Sequence, residues 1–258
     1  MIFETHAHYD DDRFNEDRDE LLLCLPTEGV GVVINSGASV ESTRDTIRLA
    51  KKYDHVYAAV GVHPSEIEEL DEEFFQWMKE QTDWEKTVAI GEIGLDYYWD
   101  KEPEVQEKQR YWFGRQIELA RETNLPIIVH SRDAAADTMQ VLKEHHGEEI
   151  PGVIHCYSYS KEMALEFIKM GYYIGVGGVV TFKNAKKLIE TVEGIPLERI
   201  LLETDCPYMA PEPYRGKRND STLLTYVRDK IAEIKGVTPE EVERVTEANA
   251  RALFTKVK

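Results

Sequence analysis

Eight short apolar runs recur along this chain at intervals of 23 to 38 residues, and no other feature limits its fold so tightly. They end near His8, Gly37, His63, Glu92, His130, His155, Gly178 and Asp205. Each interval suits one loop, one helix and one loop back to the next strand. Residues 126–130 (Pro-Ile-Ile-Val-His) and 152–155 (Gly-Val-Ile-His) are apolar without alternation, as strands buried on both faces are. Between the runs lie helix signals: Ser39 and Asp71 as caps, Pro103 at the head of a long helix, and Thr238-Pro239-Glu240-Glu241 opening a last helix that runs to Phe254. Parallel strands alternating with helices in this way predict an α/β fold, a (β/α)8 TIM barrel with an additional C-terminal helix, with residues 1–258 forming one domain. The alternative, a doubly wound open sheet, is disfavoured because no GxGxxG turn follows the first run.

The composition narrows the partners. With 49 acidic against 31 basic residues, the formal charge of −18 argues against capture of nucleic acid by a broad basic face. It leaves room for a phosphate-bearing substrate held locally by a few arginines and divalent ions. One basic island, Arg215-Gly216-Lys217-Arg218, stands out; a solvated loop is its plainest reading. No apolar run approaches the roughly 18 residues of a membrane span. The chain begins directly in a strand without a basic-apolar leader pattern, and its three cysteines (Cys24, Cys156, Cys206) form no CxxC pair. A reducing cytoplasm is the expected compartment.

The chemistry gathers at the ends of the runs. His6 and His8 are two apart on the first strand, so their imidazoles project together, as half of a transition-metal site would. His8, His63, Glu92, His130, His155 and Asp205 all close an apolar run, and in a barrel those ends meet on the face where barrel enzymes keep their active sites. Any one of these histidines read alone is as well explained as a satisfied core or loop residue. Together with two carboxylates they point to metal. Mixed imidazole and carboxylate donors suit Zn, Mn, Co or Fe and tolerate Mg. Six candidates exceed the three or four protein ligands of a single catalytic zinc, so two divalent ions about 3.5–4 Å apart fit better.

At these residues the sequence resembles the TatD family of metal-dependent deoxyribonucleases, within the amidohydrolase superfamily. The likeness is carried by Gly61-Val62-His63-Pro64, by residues 91–98 (Gly-Glu-Ile-Gly-Leu-Asp-Tyr-Tyr) and by residues 126–133 (Pro-Ile-Ile-Val-His-Ser-Arg-Asp). It continues in His155-Cys156-Tyr157-Ser158, residues 203–208 (Glu-Thr-Asp-Cys-Pro-Tyr), the loop 211–219 and Asn249-Ala250-Arg251. The resemblance implies one metal on His6, His8, Glu92 and Asp205 and a second on Glu92, His130 and His155, with Glu92 bridging. It further implies phosphodiester cleavage by a metal-activated water, Asp205 orienting that water or taking its proton, and DNA strands or ends as the partner, trimmed from the 3′ end. His63 and Arg132 are the first candidates for phosphate contacts. Tyr98 is a candidate for stacking, and Lys217 and Arg218 lie after strand eight, where barrels often bind phosphate. Arg132 is about as readily explained by pairing with Asp133. Two departures stand out: family members usually carry Asp at the position of Glu4 and often His at that of Ser65.

Two other functions stay open at the sequence level. The same metal site could hydrolyse an ester or amide, as in the D-aminoacyl-tRNA deacylases named within this family. A non-catalytic nucleic-acid-binding barrel is disfavoured by the charge and by the complete ligand set.

Overall fold

Parallel strands buried on both faces have to be covered by helices, and the chain supplies one after almost every strand. In the computed structural model, which describes residues 1–258, the strands are β1 (Ile2–Ala7), β2 (Val30–Ser36), β3 (Val56–Val60), β4 (Thr87–Asp96), β5 (Ile127–Arg132), β6 (Gly152–Ile154), β7 (Tyr173–Val176) and β8 (Ile200–Leu202). They form one parallel sheet in the order β1 to β8, each beside its neighbour in sequence. The seam between first and last is closed by the bridge between Ala7 and Cys206, where His8 N donates to Cys206 O (2.8 Å) and Asp205 N to His6 O (3.0 Å). This is the TIM barrel expected of the pattern.

The helices are α1 (Arg18–Cys24), α2 (Val40–Lys52), α3 (Glu72–Gln81), α4 (Pro103–Thr123), α5 (Ala135–Glu144), α6 (Lys161–Lys169), α7 (Lys186–Gly194), α8 (Leu224–Lys235) and α9 (Pro239–Leu253). Several begin at the expected residues. Ser39 accepts from Ser42 N, Asp71 from Phe74 N and Thr238 from Glu241 N, each satisfying an amide that the helix cannot. Pro103 and Pro239 open α4 and α9, where a missing N–H costs nothing. No helix is long and apolar enough to cross a membrane.

Alternation along the strands splits the core in two. Phe3, Val32, Ile34, Tyr57, Ile128, Val153 and Leu201 pack with one another and with Leu253 and Phe254, so the C-terminal helix α9 plugs one end of the barrel. Their strand neighbours Val33, Ala58, Val60, Ile127 and Val129 belong to the larger cluster shared with the helices. The opposite end, where the strands finish, is left open. Three of its strand ends differ from expectation by three residues or more. β3 stops at Val60 and β8 at Leu202, so His63 and Asp205 stand on loops just beyond them, while β4 runs past Glu92 to Asp96. Pro64 prevents β3 from extending, and Asp205 has left-handed backbone (φ 57°), which a strand does not accommodate.

Candidate metal centre

The open end holds a cavity of about 780 Å³, and Glu92 lies at its floor, buried. Register shifts bracket both central ligand candidates: between Glu4 and Ala7 in β1, around His6, and between Ile90 and Ile93 in β4, around Glu92. Irregularities of this kind re-aim a side chain that a regular strand would point elsewhere. Gly94, at φ 148°, brings β4 and β5 so close that a Cβ there would lie 1.9 Å from His130 O. Only glycine fits, and the approach sets His130 against Glu92.

The six expected ligands converge. His6 Nε2 and His8 Nε2 face each other at 3.0 Å and lie 3.3 and 3.4 Å from Glu92 Oε2. Asp205 Oδ1 is 3.4 Å from His8 Nε2 and 3.8 Å from His6 Nε2. On the other carboxylate oxygen, Glu92 Oε1, His130 Nδ1 sits at 2.8 Å and His155 Nε2 at 3.0 Å. Glu92 therefore turns one oxygen toward each half of the cluster.

The far side of each ring decides what the near side can be. His8 Nδ1 lies 2.9 Å from the carbonyl of Ser36, which can only accept, so the proton belongs on Nδ1 and Nε2 presents a lone pair inward. His130 is turned the other way: Nε2 donates toward Asp96 Oδ2 (3.2 Å) and Nδ1 is the inward lone pair. His155 Nδ1 lies 3.4 Å from Glu203 Oε1, which likewise draws the proton outward. Lone pairs and carboxylate oxygens thus confront one another at 2.8–3.4 Å. Such facing acceptors require a cation, or protons, between them. The donor set fits divalent metal, and three overlapping groups of donors (His6, Glu92, His155; His6, His8, Asp205; His63, Glu92, His130) each lie within 4.8 Å of one another.

The electrostatics agree. Burial opposes charge on His8, but hydrogen bonds to Asp205 and Glu92 raise its pKa well above the usual imidazole value. His155 is raised likewise, against burial, by Glu92 and Glu203. Burial favours neutral Glu92, yet the surrounding imidazoles, His155 first, hold it well below the usual carboxylate range. Asp205 is also lowered against its burial, chiefly by the hydrogen bond to His8.

His63 differs from the other five. Its Nδ1 accepts from Ser65 N (3.1 Å), so in the neutral ring the proton sits on Nε2, 3.7 Å from Glu92 Oε1. Burial, with His130 alongside, lowers its pKa to about 3 and keeps it neutral. It offers the cavity a donor where the six ligand candidates offer acceptors. Arg132 lines the cavity as well, with its Cζ 4.0 Å above the ring of Tyr98 and no ion pair to Asp133. Tyr98 lies behind it and outside the lining.

Lys217 and Arg218, the candidates from the basic island, stand outside the cavity lining. Arg218 is held by Asp17 through two hydrogen bonds (2.6 and 2.7 Å) and donates to Arg13 O. Lys217 Nζ rests 5.5 Å from the ring of Tyr214. An acid 201 residues away holds the Arg218 guanidinium, and no local pattern in residues 215–218 signals it. Glu4, one of the two departures from the family pattern, is fully buried. Its carboxylate touches no imidazole; it accepts from His6 N, Thr204 N, Thr204 Oγ1 and Ser221 Oγ, tying β1 to the segment after β8. Sequence reasoning missed three groups that orient the rings: the Ser36 carbonyl, Asp96 and Glu203. The two acids stand inside the motifs of residues 91–98 and 203–208 and were open to notice; a backbone carbonyl leaves no trace in sequence.

A family model described as TatD related DNase matches residues 3–255. The metal-dependent hydrolase YabD of Bacillus subtilis is 44% identical over 98% of this chain and 99% of its own length. The metal-dependent hydrolase YcfH of Escherichia coli K12 is 35% identical over 98% and 96%. Among solved structures, the TatD homologue YjjV of E. coli K12 superposes with a TM-score of 0.91 at 31% identity, covering 98% of each chain.

Proposed function

Because the chain belongs to the TatD family of metal-dependent hydrolases, we propose that it cleaves phosphodiester bonds of DNA in the cytoplasm, trimming single strands from the 3′ end at two divalent cations. The observation that carries this reading is the ring of inward-facing acceptors around the two oxygens of Glu92. His6, His8, Glu92 and Asp205 would hold one ion, and Glu92, His130 and His155 the other. Bound there, the ions supply a lowered pKa for the attacking water and positive charge opposite the phosphoryl oxygens.

The side chains do the rest. Asp205 stays ionised among its imidazole neighbours and lines the cavity, so it can orient a water and take its proton. His63 is neutral and directs an Nε2–H toward the cavity, a donor for a non-bridging phosphoryl oxygen. The planar guanidinium of Arg132, stacked on Tyr98, keeps its in-plane N–H groups for a phosphate. The test is incubation of end-labelled single-stranded oligonucleotides with protein reconstituted in Mg²⁺ or Mn²⁺. Stepwise shortening from the 3′ end is expected, abolished by chelation and by Glu92→Ala. No cleavage with Mg²⁺, Mn²⁺, Zn²⁺, Co²⁺ or Fe²⁺ would refute the reading. Faster release of the amino acid from aminoacyl-tRNA under the same conditions would replace it with the deacylase reading.

A further inference from the structure

The cavity rim is hostile to a polyanion. Asp10, Asp11, Glu66 and Asp96 line it in addition to Glu92 and Asp205, and Arg132 is the one lysine or arginine among the lining residues. Of the neighbouring arginines, Arg13 is paired at the rim with Asp11 through two hydrogen bonds (2.9 and 2.8 Å) and offsets that one acid, and Arg218 is held by Asp17. A strand laid across this mouth would bring one phosphate per nucleotide against carboxylates, within a screening length of about 8–10 Å. A single phosphate has a partner there; a row of them does not.

Beside Arg132 stands a feature that the proposed cleavage does not require. Trp99 lines the cavity and is 67% exposed, its ring meeting that of Tyr98 edge-on at 4.8 Å between centroids and leaving much of the indole open to solvent. It is held firmly. Asp96 Oδ1 accepts from Tyr98 N (2.9 Å) and Trp99 N (3.0 Å), while Oδ2 faces His130 Nε2 at 3.2 Å. Asp96 pairs with Arg132 across β4 and β5, and Tyr97 N donates to Arg132 O (2.9 Å). Gln109 fixes the far end of the turn through Asp100 Oδ2 (2.7 Å). One carboxylate thus sets both the aromatic turn and a ligand candidate, and the guanidinium lies 4.0 Å from the Tyr98 ring centre and 5.5 Å from that of Trp99.

We propose that Trp99 and Arg132 form a one-nucleotide subsite, with the guanidinium on a single phosphate and the indole stacked on a single base. What the site reads is then the terminal nucleotide of a strand and not a length of backbone. This rests on the phosphodiesterase reading and adds to it a footprint and a specificity residue, Trp99.

Steady-state cleavage of a thymidine dinucleotide and a thymidine 12-mer by the metal-loaded protein tests it. The two kcat/KM values should agree within about fivefold, and the 12-mer should show a log–log salt slope no steeper than about −0.7, the value for one single-strand phosphate. Trp99→Ala should raise KM by about 5–150-fold, the range of one stacked base, with kcat little changed and Trp99→Phe largely restoring it. Wild-type protein should lose the same factor on a substrate whose terminal nucleotide is abasic, and Trp99→Ala should lose nothing more on that substrate. Tryptophan fluorescence gives a reading independent of turnover: thymidine 5′-monophosphate should quench the wild type and lose most of that effect in Trp99→Phe. A 12-mer favoured more than 30-fold, a slope of −3 or steeper, or an unchanged KM in Trp99→Ala would overturn the subsite while leaving phosphodiester cleavage intact. Absence of any phosphodiester cleavage would instead remove the reading beneath it.

Discussion

Replacing Glu4 by glutamine tests how the barrel seam is built. Glu4 is fully buried and accepts four hydrogen bonds, from His6 N (3.1 Å), Thr204 N (2.9 Å), Thr204 Oγ1 (2.7 Å) and Ser221 Oγ (2.9 Å). Burial outweighs these donors and raises its pKa to about 7. A carboxyl whose folded pKa exceeds its unfolded value of about 4.5 binds its proton more tightly in the native state, so its contribution to stability is complete below pH 4.5 and is lost as pH rises through 7. The full loss is roughly 3 kcal/mol, most of which falls between pH 5 and pH 8. Glutamine keeps an acceptor for the two amides and cannot ionise. The assay is urea unfolding of chelator-treated wild type and Glu4→Gln at pH 5 and pH 8, because bound metal would add its own stabilisation. With a slope of about 2.5 kcal/mol/M, the wild-type midpoint should fall relative to the variant by about 1 M across that range. His8 and His155 titrate in both proteins, so the difference isolates Glu4. A wild-type minus variant difference independent of pH would refute the reasoning.

Two further outcomes follow from the cluster. His8 and His155 are raised well above the ordinary imidazole pKa, despite burial, by the carboxylates beside them, so metal must displace their protons. Calorimetric metal titration near pH 7 in buffers of different ionisation enthalpy should show release of about two protons and affinity rising with pH; identical heats in both buffers would count against His8 and His155 carrying protons in the metal-free protein. His63→Phe removes a donor to a charged oxygen, worth about 1.5–3 kcal/mol, and should lower kcat/KM by roughly 10–150-fold with metal content unchanged. Loss of a bound ion in that variant would make His63 a ligand instead.

The apolar runs, their spacing and the caps at Ser39, Asp71 and Thr238 depend on neighbours a few residues away, so the barrel and its helix starts were legible in order. So was the kind of chemistry, since imidazole and carboxylate residues closing parallel strands must meet at one end. The arrangement within that end was not. That Glu92 splits its oxygens between two halves depends on register shifts in β1 and β4, and His63 parts from the other histidines because Ser65 N occupies its Nδ1. The position of Arg218 depends on Asp17, and that of Glu4 on Thr204 and Ser221, partners about 200 residues distant. The sequence by itself determined which residue types reach the mouth of the barrel, because strand periodicity and burial are local properties. Only the tertiary structure decided which lone pair or N–H each presents there, because a ring's proton is placed by whatever stands behind it, and closure of the barrel alone brings that partner into contact.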